Sequence, residues 1–142
     1  MPGHQPYIVL IDDDEDDLEI LSSSLKLLGI NVKSFESGET AFHFLHSIGN
    51  AEFPSLIILD YNMQKINGEE VLFLLKNHLS LKQIPVVMYS THMTAILQKA
   101  LIALGAQACF IKPNSYLDII SQVESFKNLL NSSSSNQTVN IF

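Results

Sequence analysis

The chain has 142 residues, 46% of them hydrophobic and only 16% charged, with a net charge of -7. That length suits one domain able to bury roughly two-thirds of its unfolded surface, and so low a charged fraction suits a sheet covered on both faces. Arginine is absent and the eight lysines are scattered, which excludes a nucleic-acid-binding surface built from clustered basic residues. The short polar N-terminus and the brevity of every apolar run point away from a signal peptide or a membrane span, and a cytoplasmic location is expected. The single cysteine, Cys109, leaves no partner for an internal disulfide; its apolar neighbours make it a buried small hydrophobe.

In chain order, residues 1–6 read as a tail, 7–130 as the folded domain and 131–142 as a flexible Ser/Asn-rich tail lacking the apolar residues needed to pack. The first strand is the run Tyr7-Ile8-Val9-Leu10-Ile11. Leu18, Leu21, Leu25 and Leu28 then form one helix stripe, closed by Gly29 as a left-handed cap. A second strand occupies residues 31–35. Ser37 caps a second helix carrying Ala41, Phe42, Leu45 and Ile48 and ended by Gly49. The third strand is 55–59. Asn67 caps a third helix, with Glu70 completing a capping-box-like pair and Val71, Leu74, Leu75 and Leu79 facing inward. Pro85 opens a fourth strand, where its missing donor is tolerated. A fourth helix, 93–104, turns Leu97, Ala100 and Leu104 inward before Gly105. The fifth strand is 106–111, and Ser115-x-x-Asp118 starts a last helix with Ile119, Val123, Phe126 and Leu130 at helical spacing. Such alternation predicts a doubly wound α/β fold, (βα)5, with five parallel strands.

Four of these strands end on residues able to handle phosphate or Mg²⁺: Asp12-Asp13, Asp60, Ser90-Thr91 and Lys112-Pro113. Open α/β sheets bind ligands at the carboxyl ends of their strands, so these distant residues would form one site. Acids between positions 14 and 19 are explained by a helix N-terminus. Asp12 and Asp13 follow directly on a strand, and two carboxylates held about 4 Å apart repel by about 4 kcal/mol at an effective dielectric near 20. Together with Asp60 they suit Mg²⁺, a hard cation that takes a few protein oxygens and keeps several waters. Asp60, alone at the tip of its strand, suits a nucleophile that forms an acyl phosphate. Phosphoryl transfer needs mainly charge neutralisation and in-line positioning; Lys112 offers a fixed cation and Ser90 a hydroxyl. Taken singly, Lys112 as the partner of an acid and Ser90 as a helix cap are the favoured readings; the coincidence of four strand ends is what favours a site.

In these motifs, with Asp60-Tyr61-Asn62-Met63, Asn67-Gly68, Ile84-Pro85 and Gly105-Ala106, the chain resembles a response-regulator receiver domain over residues 7 to about 130. The resemblance implies a flavodoxin-like strand order 2-1-3-4-5. It makes Asp60 the phosphoacceptor, Asp13 a direct Mg²⁺ ligand and Asp12 a metal-site acid acting through water, with Asn62 giving its backbone carbonyl to the metal. Ser90 becomes the switch hydroxyl, with Thr91 beside it; Lys112 contacts the phosphoryl group, and the Lys112-Pro113 peptide is expected to be cis. His92 lies where the family lines the entrance to the phosphoryl site and modulates hydrolysis.

Two positions depart from the pattern. Gln64 stands where the family usually has proline, which is expected to loosen the loop after Asp60. Cys109 stands where the family commonly has the Tyr or Phe that turns inward on activation; Phe110 is no substitute, because adjacent strand side chains point to opposite faces. Tyr89, beside the switch hydroxyl, is the remaining candidate for that part. His43 and His46, three apart on a helix, read as a surface pair without a third metal ligand.

The preferred function is therefore a single-domain, non-enzymatic response regulator. It would be phosphorylated on Asp60 by a sensor histidine kinase or histidine phosphotransfer protein, with Mg²⁺ as cofactor. With no output domain expected, it would act by binding an unknown downstream protein or by onward phosphotransfer, as a monomer or weak homodimer. Two alternatives stay open. One is a small Mg²⁺-dependent Asp-nucleophile phosphohydrolase of the haloacid-dehalogenase kind, disfavoured because its nucleophile follows the first strand. The other is an unphosphorylated receiver-like interaction module, which would be expected to lose its acidic site.

Overall fold

The computed structural model describes residues 5–133. Five strands, β1 (Tyr7–Ile11), β2 (Asn31–Phe35), β3 (Leu56–Asp60), β4 (Val86–Ser90) and β5 (Ala108–Ile111), alternate with five helices, α1 (Glu15–Leu27), α2 (Gly38–His46), α3 (Gly68–Lys76), α4 (Ala95–Ala103) and α5 (Tyr116–Ser133). All strand pairs are parallel and the order is β2-β1-β3-β4-β5, as predicted. Order reverses beside β1, which Asp12 follows, and β3, which ends on Asp60.

The three central strands are buried on both faces, and the period-two alternation of strand side chains divides their apolar residues between two cores. Val9, Ile11, Ile57, Leu59, Met88 and Cys109 pack with Ala41, Leu45, Val71, Leu72, Leu75 and Leu101 of α2, α3 and α4. Ile8, Leu10, Ile58, Val87 and Tyr89 pack with Leu18, Leu21 and Leu25 of α1 and Val123, Phe126 and Leu129 of α5. The helices start where the sequence places caps: Ser37 accepts from the Thr40 amide, Asn67 from Glu70 and Ser115 from Asp118, each replacing a bond the first helical turn lacks. Gly29 and Gly105, at φ +80° and +116°, take the left-handed conformation expected of helix-ending glycines.

Several expectations are corrected. α3 buries Val71, Leu72 and Leu75, while Leu74 is exposed; the helix ends at Lys76, so Leu79 lies beyond it at 84% exposure. The buried anchor of α4 is Leu101, and Ala100 faces solvent. α2 ends at His46, where the Ser47 hydroxyl donates to the Phe44 carbonyl at 2.6 Å; Gly49 is not its cap. β5 starts at Ala108, and β3 runs one residue later than expected, so Asp60 is its last residue. α5 continues through Ser133, so residues 131–133 of the expected tail are helical; 134–142 and 1–4 lie outside the described residues. Among the described residues no helix is long and apolar enough to cross a membrane.

Candidate functional site

The carboxyl edge of the sheet is built on backbone hydrogen bonds that extend one residue past the strands. The amide of Asp12 donates to Phe35 O at 3.1 Å, that of Tyr61 to Tyr89 O at 2.8 Å, and that of Lys112 to Ser90 O at 2.8 Å. Asp12, Asp60, Ser90 and Lys112 are thus fixed by the ladder and not by a free loop. Gly68 closes the loop after Asp60: its amide bonds Tyr61 O at 2.9 Å, and a Cβ there would collide with Asp60 O and lie 2.7 Å from Tyr61 Cα.

Asp60 is 3% exposed and Ser90 fully buried. Lys112 Nζ lies 2.8 Å from Asp12 Oδ2, 2.9 Å from Asp17 Oδ2 and 3.2 Å from Asp60 Oδ1. The last is an ion-pair contact without hydrogen-bond alignment, so Asp60 Oδ1 is a buried acceptor with no hydrogen bond. Burial, reinforced by the Asp12 carboxylate and opposed by Lys112, raises the Asp60 pKa from 3.8 to about 7. Burial disfavours the Lys112 charge, but its bonds to Asp12 and Asp17 outweigh that and raise its pKa. Asp12, Asp13 and Asp60 each place a carboxylate oxygen within 4.8 Å of the others, the one group of three or more metal-type ligands among the described residues. Hard oxygen donors and an unsatisfied buried acceptor fit a cation such as Mg²⁺.

The predicted residues divide. Asp12, Asp13, Asp60 and Lys112 converge. Ser90 Oγ joins through Asn62, whose Nδ2 donates to it at 3.1 Å, and gives its own proton to His92 O at 2.8 Å. Asn62 thus touches the site through its side chain, and His92 through its backbone; the rings and hydroxyls of His92 and Thr91 lie on the exposed loop. Tyr89 donates to Gln122 Oε1 at 2.7 Å, Gln122 donates to Ile111 O at 2.8 Å, and Lys112 Nζ sits 5.6 Å from the Tyr89 ring centroid. Cys109 is buried on the α3–α4 side, its thiol pKa pushed up by burial to about 11. Among the described residues no peptide bond is cis, so the Lys112-Pro113 bond is trans, contrary to expectation; an X-Pro bond prefers trans by about 0.5–1 kcal/mol unless packing reverses it.

The sequence reading missed two contacts. Asp17 was assigned to the helix dipole, yet it bonds Lys112. The Gln64 amide donates to Asp13 Oδ2 at 3.0 Å, so this departure ties the loop to a metal-type ligand, a bond proline has no N–H to make. His46 meets His78 rather than His43, with Nε2 atoms 3.2 Å apart. Because His78 Nδ1 accepts from the Ser80 and Leu81 amides, its neutral ring carries the proton on Nε2 and donates it to His46. That proton occupies the nitrogen a metal would need.

Comparison with known proteins agrees with this geometry. Residues 8–124 match the family model of the response regulator receiver domain. Two-component response regulator ORR5 of Oryza sativa subsp. japonica is 31% identical over 117 residues, 82% of this chain and 85% of that protein. The Mn²⁺-bound form of response regulator Rcp1 is 28% identical with a TM-score of 0.75, covering 87% of this chain and 93% of that one. The phosphorylated cyanobacterial phytochrome response regulator RcpA is 27% identical with a TM-score of 0.79, covering 92% and 96%. A family match across most of the chain, a relative of similar length and a five-stranded sheet in the order β2-β1-β3-β4-β5 agree: the chain belongs to the response regulator receiver domain family of two-component systems.

Proposed function

We propose that this receiver domain accepts a phosphoryl group on Asp60 in a Mg²⁺-dependent reaction. The observation that carries the reading is the placement of Asp60: buried, at the end of β3, with Oδ1 3.2 Å from Lys112 Nζ and grouped with Asp12 and Asp13. A carboxylate oxygen of Asp60 attacks the phosphorus of a phosphohistidine on a sensor histidine kinase or histidine phosphotransfer protein. The new O–P bond forms as the P–N bond breaks, and the histidine nitrogen leaves with the bonding pair and takes up a proton. Asp12, Asp13 and Asp60, with the Asn62 carbonyl, would hold Mg²⁺, which supplies charge neutralisation to the transferring group. Lys112 neutralises a further phosphoryl oxygen, and Ser90 offers its hydroxyl to another once released from His92 O. Water attack on the acyl phosphate later returns Asp60 and inorganic phosphate.

Metal binding by Rcp1 and phosphorylation of RcpA support this reading by similarity, and retention of the whole acidic group speaks against an unphosphorylated module. Output is protein binding or onward phosphotransfer in the cytoplasm, by a monomer or weak homodimer. Incubation with acetyl phosphate and Mg²⁺ should add one phosphoryl mass that hydroxylamine removes; an adduct that persists in Asp60→Asn refutes the assignment.

A further inference from the structure

The Lys112 ammonium has three N–H groups and meets three carboxylates from different parts of the chain. Asp12 and Asp17 take aligned hydrogen bonds of 2.8 and 2.9 Å, and the 3.2 Å contact to Asp60 leaves Oδ1 without one. The two bonded acids differ in their access to water. The Asp17 side chain is 40% exposed and that of Asp12 only 8%, so Asp17 is the partner whose bond to Lys112 water can replace at least cost. Asp17 also stands in the first turn of α1, where its amide bonds Asp14 Oδ1 at 3.1 Å.

We propose that Asp17 is a positioning residue that engages an N–H of Lys112 in the unphosphorylated protein, leaving Asp60 Oδ1 a 3.2 Å contact without a hydrogen bond, and yields that N–H to the phosphoryl group. The inference rests on the assignment of Asp60 as phosphoacceptor. An acyl-phosphate oxygen on Asp60 and the Asp17 carboxylate compete for an N–H of the same ammonium. The phosphoryl group carries more charge, and Asp60, to which it would be attached, is far more buried than Asp17, so that a charge-assisted hydrogen bond beside it is worth more. Only hydrogen bonds exchange; the Asp17 carboxylate is rehydrated and no proton leaves Lys112. Breaking the Asp17 bridge is then a fixed cost of the phosphorylated state. Phosphorylation also frees the first turn of α1 from its tie to the loop after β5.

Beryllofluoride with Mg²⁺, a mimic of the acyl phosphate, tests this without turnover. Titrations compare the wild type with Asp17→Asn and Asp16→Asn; the latter removes the same charge from the same turn at an exposed position that is not among the partners of Lys112. Asp17→Asn should bind about fivefold more tightly, the scale of one partly exposed ion pair, and Asp16→Asn should change affinity by less than about twofold, as expected of a screened exposed charge. A gain in affinity is not what structural damage produces. Hydrogen exchange gives a second readout: beryllofluoride should speed exchange in the first turn of α1 in the wild type but not in Asp17→Asn. Equal effects of the two variants, or weaker binding by Asp17→Asn, would overturn the inference while leaving Asp60 as the acceptor. Binding that survives Asp60→Asn would overturn the site assignment and the inference with it.

Discussion

Ionising the Asp60 carboxyl costs the fold stability, and removing the charge should show the size of that cost. Its pKa rises from 3.8 to about 7 because burial and the nearby Asp12 carboxylate outweigh the attraction of Lys112. A rise of that size corresponds to about 4 kcal/mol at about 1.36 kcal/mol per unit. The sign follows from proton linkage. Between the unfolded and folded pKa values the native state binds more protons than the unfolded one, so stability falls as pH rises through that window. The penalty is absent below about pH 4 and complete above about pH 7. Asp60→Asn keeps the shape of the side chain and removes the charge, but it also leaves Lys112 with one counter-charge fewer. A gain of about 2 kcal/mol near pH 8 is therefore expected, roughly 7 °C in melting temperature for a domain of this size. Thermal denaturation followed by circular dichroism in a chelator, at several values between pH 5 and 8, makes the comparison. The gain should widen with pH. A variant that melts at or below the wild-type temperature at pH 8, or whose advantage does not change with pH, would refute the account of burial as the dominant cause.

Asp13→Ala should weaken Mg²⁺ binding by about tenfold or more while leaving the metal-free protein no less stable, read as the loss of the Mg²⁺-dependent rise in melting temperature that mass action predicts; unchanged affinity would contradict its place among the ligands. Gln64→Pro removes the amide that bonds Asp13 Oδ2 at 3.0 Å and should tighten Mg²⁺ binding by a few-fold in calorimetric titration; weaker binding would show that this amide orients Asp13 for the metal rather than competing with it. Tyr89→Phe deletes the 2.7 Å bond to Gln122 and should cost about 1 kcal/mol of stability. If Tyr89 carries the switch outward, it should also reduce the phosphorylation-dependent change in hydrogen exchange of α5; an undiminished change would exclude that route.

Alternation of strand and helix was enough to read the architecture, because a strand buried on both faces is a short continuous apolar run and the intervening stripes keep helical spacing. Caps were legible for the same local reason: a Ser or Asn side chain satisfies an amide within three residues of itself. Helix faces were less legible where apolar residues are too dense to show one period. In Val71-Leu72-Phe73-Leu74-Leu75 any stripe can be drawn, and the choice of Leu72 over Leu74 is made by where β3 and α2 lie. The converging acids, Ser90 and Lys112 were legible because strand ends concentrate function in this fold. Asp17 and the Gln64 amide were not. One was masked by a helix-dipole explanation that also fits, and the other uses a backbone donor, which no side-chain motif records.

The parity of β5 bears on which core a change at the Asp60 site can push against. Cys109 points into the core shared with α3 and α4, where it is buried and small, so β5 contributes no ring on that side that could swing with Ser90. Phe110 points the other way and stacks edge-on against Phe126 of α5, with centroids 4.9 Å apart, and Tyr89 meets the same ring at 6.1 Å. Tyr89, Phe110 and Phe126 therefore form an aromatic group on the α5 side, next to the chain of hydrogen bonds from Tyr89 through Gln122 to Ile111 O. Close-packed rings transmit displacement because they have no free volume to absorb it. A change in Lys112, which sits over the Tyr89 ring, thus has a close-packed path to α5 through Tyr89 and Phe126.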